Sequence, residues 1–376
     1  MNIKTKQKRM TGTSAIVRGL QISLLIFVTL SMSSCCGLRL HNEKVIGKPS
    51  SEIWFVEDAY DATSIPALTI KDGVEYRMLL LADTQLDGAP GRVRKTLKLI
   101  EALVDSVKPD VIVTLGDNAE WQYSDIMAKK LVKKYESFNI PYAITLGNHD
   151  SEGRKGRGWY GNFYESAPNS LFRYGPSNIH GVGNYSVLLK DEEGNIIYDL
   201  IMMDSNVGRN YPDGSGYDFI HRDQIEWYKW NVKGVSTAKY GEFLPESGKV
   251  VPSICFFHIP LVEYGDAVNA IKNGKIDSAK IVGEVREGVA SAKVNSGLFD
   301  VMKELKSTTH VFVGHDHVNN LSVNWQGIQL SYGLKSGYTS YYSDDMIGGT
   351  LVTLKKNKSD KVEVSIEYIY IEKDSL

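Results

Sequence analysis

Three observations in this chain of 376 residues predict an α/β fold. Apolar runs at 78–81, 111–115, 142–146, 254–257 and 311–313 have the length and composition of strands buried on both faces. Between them lie stripes at helical spacing. Each apolar run also ends in a short polar block: Asp83-Thr84-Gln85, Gly116-Asp117-Asn118, Gly147-Asn148-His149-Asp150, His258, and Gly314-His315-Asp316-His317. In covered sheets, sites form beyond the carboxyl ends of the strands, so the five blocks are expected to meet at one shared edge.

Along the chain, Lys4, Lys6, Lys8, Arg9 and Arg18 precede an apolar run over 20–32 that is short for a membrane span. That order is a secretory signal. It ends in Met32-Ser33-Ser34-Cys35, which resembles a bacterial lipobox except at Met32, and Cys35 is the expected lipidated residue. A plain signal peptide or an uncleaved anchor is the alternative. Residues 1–35 are therefore expected to be signal, 36–65 a polar tether ending near an edge strand, and 66–376 one catalytic domain.

Inside that domain Val93, Leu97, Ile100, Val104 and Val107 keep helical spacing, as do Met127, Leu131, Tyr135 and Phe138, and later Leu298, Val301, Met302 and Leu305. These are covering helices. Apolar or alternating runs at 186–189, 196–203, 329–332, 351–354 and 362–371 add strands. Between the third and fourth blocks, Gly153-Arg154-Lys155-Gly156-Arg157-Gly158 reads as a loop. Arg forks match phosphate, but a charge run among glycines is more often a solvated surface.

The polar blocks carry the chemistry. Asp, Asn and Gln offer oxygen and His offers nitrogen, a mixed set suited to Mn, Fe, Zn, Co or Ni, with no thiolate in it. Two such ions roughly 3.5–4 Å apart clamp the attacking and leaving oxygens of a displacement at phosphorus. A two-metal hydrolytic centre needs a bridging carboxylate, and Asp117 is the candidate. Taken singly, a Gly-Asp is often a turn and a lone His258 a core residue. His315 and His317, two apart on an extended segment, point the same way.

With these blocks in order, the chain resembles the calcineurin-like metallophosphoesterase superfamily from about Glu75 onward. The strings Phe256-Phe257-His258-Ile259-Pro260-Leu261, Gly314-His315-Asp316-His317-Val318-Asn319, Gly181-Val182-Gly183-Asn184-Tyr185 and Tyr332-Gly333-Leu334-Lys335-Ser336-Gly337 look like its fungal and plant purple-acid-phosphatase-like branch. The resemblance implies a four-layer αββα sandwich of two mixed sheets flanked by helices. It implies Asp83, Gln85, Asp117 and His317 around one metal ion, and Asp117, Asn148, His258 and His315 around a second, the pair being divalent or mixed-valence transition metals. It also implies a bridging hydroxide that attacks phosphorus. Gln85 departs from the family's usual His, and its amide oxygen is a weaker donor to such metals. The Tyr ligand that colours purple acid phosphatases has no obvious counterpart after Gly116-Asp117, where Asn118 to Trp121 stand, so no purple chromophore is expected.

His149 is the candidate general acid for the departing oxygen. Asp150 is either the partner that orients the His149 ring or a helix N-cap. Trp121, Tyr123, Trp159, Tyr160, Phe163 and Tyr164 are either pocket walls or packing. The mature domain has one cysteine, Cys255, inside an apolar run and expected to be a buried core residue.

A net charge of −2 with no basic stripe beyond the signal argues against nucleic acid as a main partner, and no obligate protein partner is evident. The expected function is metal-dependent hydrolysis of phosphate monoesters or diesters by an exported lipoprotein facing periplasm or cell exterior. The alternative is a surface-anchored binding protein of the same fold with weakened turnover.

Overall fold

The computed structural model describes residues 53–277, 280–357 and 361–371. The expected signal, with Cys35, and the tether as far as residue 52 lie outside them. In chain order the elements are Ala67–Thr69 (β1), Glu75–Leu81 (β2), Pro90–Val107 (α1), Val111–Leu115 (β3), Ser124–Glu136 (α2), Tyr142–Thr145 (β4), Arg157–Glu165 (α3), Tyr185–Lys190 (β5), Ile196–Met202 (β6), Gly208–Tyr211 (β7), Gly214–Tyr217 (β8), Arg222–Tyr240 (α4), Ser253–Phe256 (β9), Val262–Lys272 (α5), Ile281–Val282 (β10), Leu298–Leu305 (α6), Thr308–Val313 (β11), Ser322–Trp325 (β12), Ile328–Tyr332 (β13), Gly348–Lys356 (β14) and Val362–Tyr370 (β15).

The strands form two mixed sheets and the β7–β8 hairpin. One sheet runs β15-β14-β2-β3-β4 and the other β1-β5-β6-β9-β11-β13-β12-β10. The five motif-bearing strands divide between the sheets: β2, β3 and β4 are parallel neighbours in the first, and β9 and β11 in the second. The single edge expected from the sequence is thus a seam between the carboxyl ends of two sheets.

Side-chain alternation explains the layers. Leu200 and Met202 of β6, Ile254 and Phe256 of β9, and Phe312 of β11 join the core that also holds Met78, Leu80, Val111 and Val113 of the first sheet. Their neighbours Ile201, Cys255, Val311 and Val313 face the opposite way, into a second core with Tyr228 and Val232 of α4, Ala267 of α5 and Met302 of α6. On the outside of the first sheet, Leu99, Ile100 and Leu103 of α1 and Leu131 of α2 complete the packing. The result is the αββα sandwich, and a strand covered on both sides has no use for polar positions.

Two stretches depart from the sequence expectation. α4 begins at His221, whose side chain accepts from the backbone of Gln224 while Gln224 reaches back, a reciprocal cap made by an unusual residue. Residues 53–65, expected as tether, lie along α4: the rings of Trp54 and Tyr60 meet Trp230 edge-on at 5.9 and 4.9 Å, and Trp230 Nε1–H donates to the Asp58 carbonyl (2.8 Å).

Candidate metal centre

Four of the expected ligand residues turn the chain through the left-handed region: Asp83 (φ 53°), Gln85 (φ 42°), Asp117 (φ 49°) and His315 (φ 78°). Such positions cost a non-glycine residue roughly 1–3 kcal/mol each and persist only where neighbours enforce them. Here the loops hold one another. The Gln85 N–H donates to the Asp117 carbonyl (2.8 Å), the Gly314 N–H to the His258 carbonyl (3.1 Å), and the His315 N–H to Asp83 Oδ2 (3.0 Å). Close approach also accounts for two motif glycines. A Cβ on Gly147 would lie 2.1 Å from Asp117 Oδ1, and one on Gly314 would lie 2.6 Å from Asp83 Oδ2.

Asp117, Asn148, His258 and His315 converge. The His258 Nδ1–H donates to the Leu115 carbonyl (2.8 Å), which can only accept, so Nε2 carries the lone pair. That lone pair faces Asp117 Oδ2 at 3.2 Å, Asn148 Oδ1 at 3.1 Å and His315 Nδ1 at 3.1 Å. Four acceptors aimed at one another repel unless a cation lies among them. Without a metal ion a proton does that work: burial opposes it, but the Asp117 charge pushes His258 up to about 9. Despite its burial, Asp117 is held well below the usual carboxylate range by the His258 charge. His315, pushed down to about 3 by burial, is neutral, and its Nε2 has no partner among the described residues. The ligand atoms of Asp117, His258 and His315 all lie within 4.8 Å of one another, and this donor set fits a transition-metal ion.

The other expected position is built differently. His317 repeats the pattern: Nδ1–H donates to the Tyr341 carbonyl (2.8 Å) and Nε2 faces Asp83 Oδ1 at 3.4 Å. Gln85 does not follow. Its Oε1 accepts from the Lys335 ammonium (2.6 Å), which also donates to the Asp83 carbonyl (3.1 Å), and its amide NH2 points at Asp117 Oδ2 (3.4 Å). Lys335 is 1% exposed, and burial pushes its ammonium down to about 8, against the charges of Asp83, Glu120 and Asp117. With the amide oxygen turned to Lys335 and a donor turned inward, Asp83, Asp117 and His317 remain as acceptors. That arrangement does not fit a second metal ion with Gln85 as ligand.

His149 stands over Asp117, to which its N–H donates (Oδ1, 2.8 Å), with ring Nε2 3.9 Å from Asp117 Oδ2. Its Nδ1 bonds Glu152 Oε1 at 2.6 Å. Burial lowers the ring's pKa, but the Glu152 bond and the charges of Asp117, Glu152 and Glu120 carry it up to about 10.

Asp150 corrects the sequence expectation on both counts, since the ring partner is Glu152 and no helix starts there. Its buried carboxylate instead accepts from the N–H groups of Asn118 (2.9 Å), Ala119 (3.1 Å) and Gly147 (2.8 Å) and from Asn118 Nδ2 (3.0 Å). It ties the loop of Asp117 to the loop of Asn148. Burial, with the Asp117 charge, pushes it up to about 6.

The glycine-rich loop is not simply a solvated surface. Arg154 pairs with Asp125 (2.9 Å), while Arg157 opens α3, bonds buried Asp204 (3.0 Å) and donates to the Gly147 carbonyl (2.8 Å). Among the aromatics, Tyr160 and Tyr164 are core, and Trp159 stacks on Phe163 at 5.2 Å. Trp121, 64% exposed, donates its backbone N–H to Glu152 (3.0 Å) and so stands beside His149. Cys255 is buried, its thiol pushed up to about 12 by burial.

Comparison with known proteins gives the family. The family model for calcineurin-like phosphoesterase matches residues 76–319. "Probable inactive purple acid phosphatase 29" of Arabidopsis thaliana is 30% identical over 265 residues, covering 65% of this chain and 64% of its own length. "Phosphatase DCR2" of Saccharomyces cerevisiae is 30% identical over 244 residues, covering 60% of this chain and 39% of its own. This chain thus spans under two thirds of either relative. Among solved structures, a dimetal phosphatase from Danio rerio aligns with a TM-score of 0.44 at 11% identity, covering 78% of this chain and 98% of that one. A purple acid phosphatase from yellow lupin aligns with a TM-score of 0.44 at 12% identity, covering 79% of this chain and 52% of that one. On the family match, the chain belongs to the calcineurin-like phosphoesterase family.

Proposed function

We propose that this calcineurin-like phosphoesterase hydrolyses phosphate monoesters or diesters at a centre where Asp117, Asn148, His258 and His315 hold a transition-metal ion and His149 protonates the leaving oxygen. The observation that carries the reading is the convergence of Asp117, Asn148 and His315 acceptors on the His258 Nε2 lone pair. For the other half of the two-ion centre expected from the sequence, Asp83, Asp117 and His317 are the acceptors in place.

Held by Asp117, Asn148, His258 and His315, a metal ion would supply positive charge to the phosphoryl oxygens and acidify the attacking water. The protein's own groups do the rest. Glu152 takes Nδ1–H of His149 and leaves Nε2–H free to meet the departing alkoxide, a transfer worth roughly 10²–10⁴ in rate. Asp150 keeps His149 and Asp117 in register through the two loops it joins. Trp121 offers an exposed aromatic face to the organic part of the ester. The proposal also places the enzyme outside the cytoplasm on a lipid carried by Cys35, supported by the basic, apolar and Cys order of residues 1–36.

The test is a panel of aryl monoester, diester and nucleotide substrates after chelation and add-back of Mn, Zn, Fe, Co or Ni. Hydrolysis restored by metal is the expected result. A chain that takes up metal yet hydrolyses none of them is the anchored binding protein.

A further inference from the structure

Lys335 has no role in the expected chemistry, yet the fold delivers it to the centre and holds it there. The segment after β13 is clamped between the ends of two strands of the other sheet: the Ser336 N–H donates to the Ala82 carbonyl (2.7 Å) and the Gly348 N–H to the Lys335 carbonyl (3.0 Å). A Cβ on Gly337 would lie 2.3 Å from the Thr84 carbonyl oxygen, so the segment runs flush against the Asp83–Gln85 turn. The lysine therefore cannot swing out to solvent without undoing that contact. A buried ammonium is costly unless hydrogen-bonded, and its bonds here go to the Asp83 carbonyl and to Gln85 Oε1.

Two consequences meet at one place. The oxygen by which Gln85 would ligate is turned to Lys335, and its NH2 faces Asp117 Oδ2, a donor where a metal ion requires an acceptor. The site also already contains a fixed positive charge. A second divalent ion would sit against that ammonium with two carboxylates, Asp83 and Asp117, to offset both, whereas one ion plus the ammonium leaves far less charge uncompensated.

We propose that the Lys335–Gln85 pair takes the place of the second metal ion, so that this chain binds one transition-metal ion tightly, at Asp117, Asn148, His258 and His315. Lys335 is then a positioning residue: it fixes Gln85 against Asp117 and contributes the second positive charge of the centre. The inference rests on reading the site as a metal-dependent phosphoesterase centre.

The full chain is stripped with chelator, reloaded with excess Mn2+ or Zn2+, passed through gel filtration and submitted to elemental analysis. Wild type should retain one ion, with the electron paramagnetic resonance signal of uncoupled Mn2+, and Asp117→Ala should retain none. Lys335→Arg keeps the charge and should remain at one. Combining Gln85→His with Lys335→Met should raise the count to two and give a spin-coupled Mn2+ signal. Two tightly held ions in wild type, or a double variant that folds and still holds one, overturns the proposal. Should the double variant fail to fold, the counts for wild type and Lys335→Arg decide. No retained ion and no ester hydrolysis in wild type is a different result and refutes the phosphoesterase reading itself.

Discussion

Asp150 offers a perturbation whose size follows from the structure. Asp150→Ala removes the acceptor of four buried donors: the N–H groups of Asn118, Ala119 and Gly147, and Asn118 Nδ2. Each buried donor left unpaired costs about 1–3 kcal/mol. Water entering the vacated space re-pairs roughly half of them, leaving a loss of about 2–6 kcal/mol. Against this stands the carboxylate's own burial. Its folded pKa of about 6, above the ordinary 3.8, means that ionised Asp150 destabilises the fold by about 3 kcal/mol, a cost the variant no longer bears. The balance near neutral pH therefore runs from about 1 kcal/mol of gain to about 3 kcal/mol of loss, centred on a loss of about 1 kcal/mol. The sign of the pH dependence is fixed as well. A carboxyl group with a raised folded pKa stabilises fully below its unfolded value and loses that contribution as pH rises through about 6. The gap between wild type and variant should be wider by about 1 kcal/mol at about pH 5 than at about pH 7. Urea denaturation at the two pH values measures it, with NMR titration of the His149 ring alongside. A variant as stable as wild type at about pH 5, where the carboxyl's own cost is partly relieved, would refute the loop-tying role. A His149 pKa that moves as far with Asp150→Ala as with Glu152→Gln would restore the ring-partner role instead.

Asp117→Ala should abolish metal retention and hydrolysis together, and elemental analysis of a variant that still carries its ion would contradict the assignment. His149→Ala should keep the metal, lose most of its rate on esters with poor, high-pKa leaving groups, and lose much less on p-nitrophenyl phosphate; equal losses on both would exclude a proton-donating role. In the metal-free protein the His149 ring is protonated below its pKa of about 10 and neutral above it, so its NMR titration after chelation should lie well above neutrality. Glu152→Gln removes the leading cause of that elevation and should draw the titration down by under about one pH unit, as befits a partly exposed pair; an unmoved titration would remove Glu152 as the partner of the ring. Cys35→Ser should stop lipid labelling and leave unprocessed precursor while Cys36→Ser changes little, and the reverse pattern would move the processing site by one residue.

The fold was legible where one physical signal dominated. Runs such as 78–81 and 111–115 are apolar because both faces are covered, and they appear as β2 and β3. The same uniform burial hides which sheet a strand joins, so the division of β2, β3 and β4 from β9 and β11 could not be read from them. α4 went unseen because buried polar residues such as Gln224 and Asn231 interrupt its stripe and His221 is not among the usual capping residues. The β7–β8 hairpin, made of Gly208–Tyr211 and Gly214–Tyr217, has little of the apolar alternation that marks a strand. Arg157 looked like loop surface because its partner, Asp204, is distant in sequence and lies just after β6.

At the site, the residue types announced metal and phosphate chemistry, and the departure at Gln85 was visible as a change of donor. What it meant was not visible, because the meaning lies in Lys335, 250 residues away and in a stretch whose glycines and lysine suggest surface. A site losing its function by drift loses ligands on several sides and leaves their neighbours unpaired. Here the departure is confined to the Asp83 side, and the substituted amide has both ends engaged, the oxygen by Lys335 and the NH2 by Asp117. His258, His315 and Asn148 meanwhile keep their approach to Asp117 intact. Asp117 is the hinge of that argument. Its Oδ1 accepts the His149 N–H, while its Oδ2 faces both His258 and Gln85, so a change on either side reaches the other through one carboxylate. A lysine that fixes the Gln85 side thereby also fixes the carboxylate the metal ion needs, which is what replacement of a cation requires and erosion of a site would not supply.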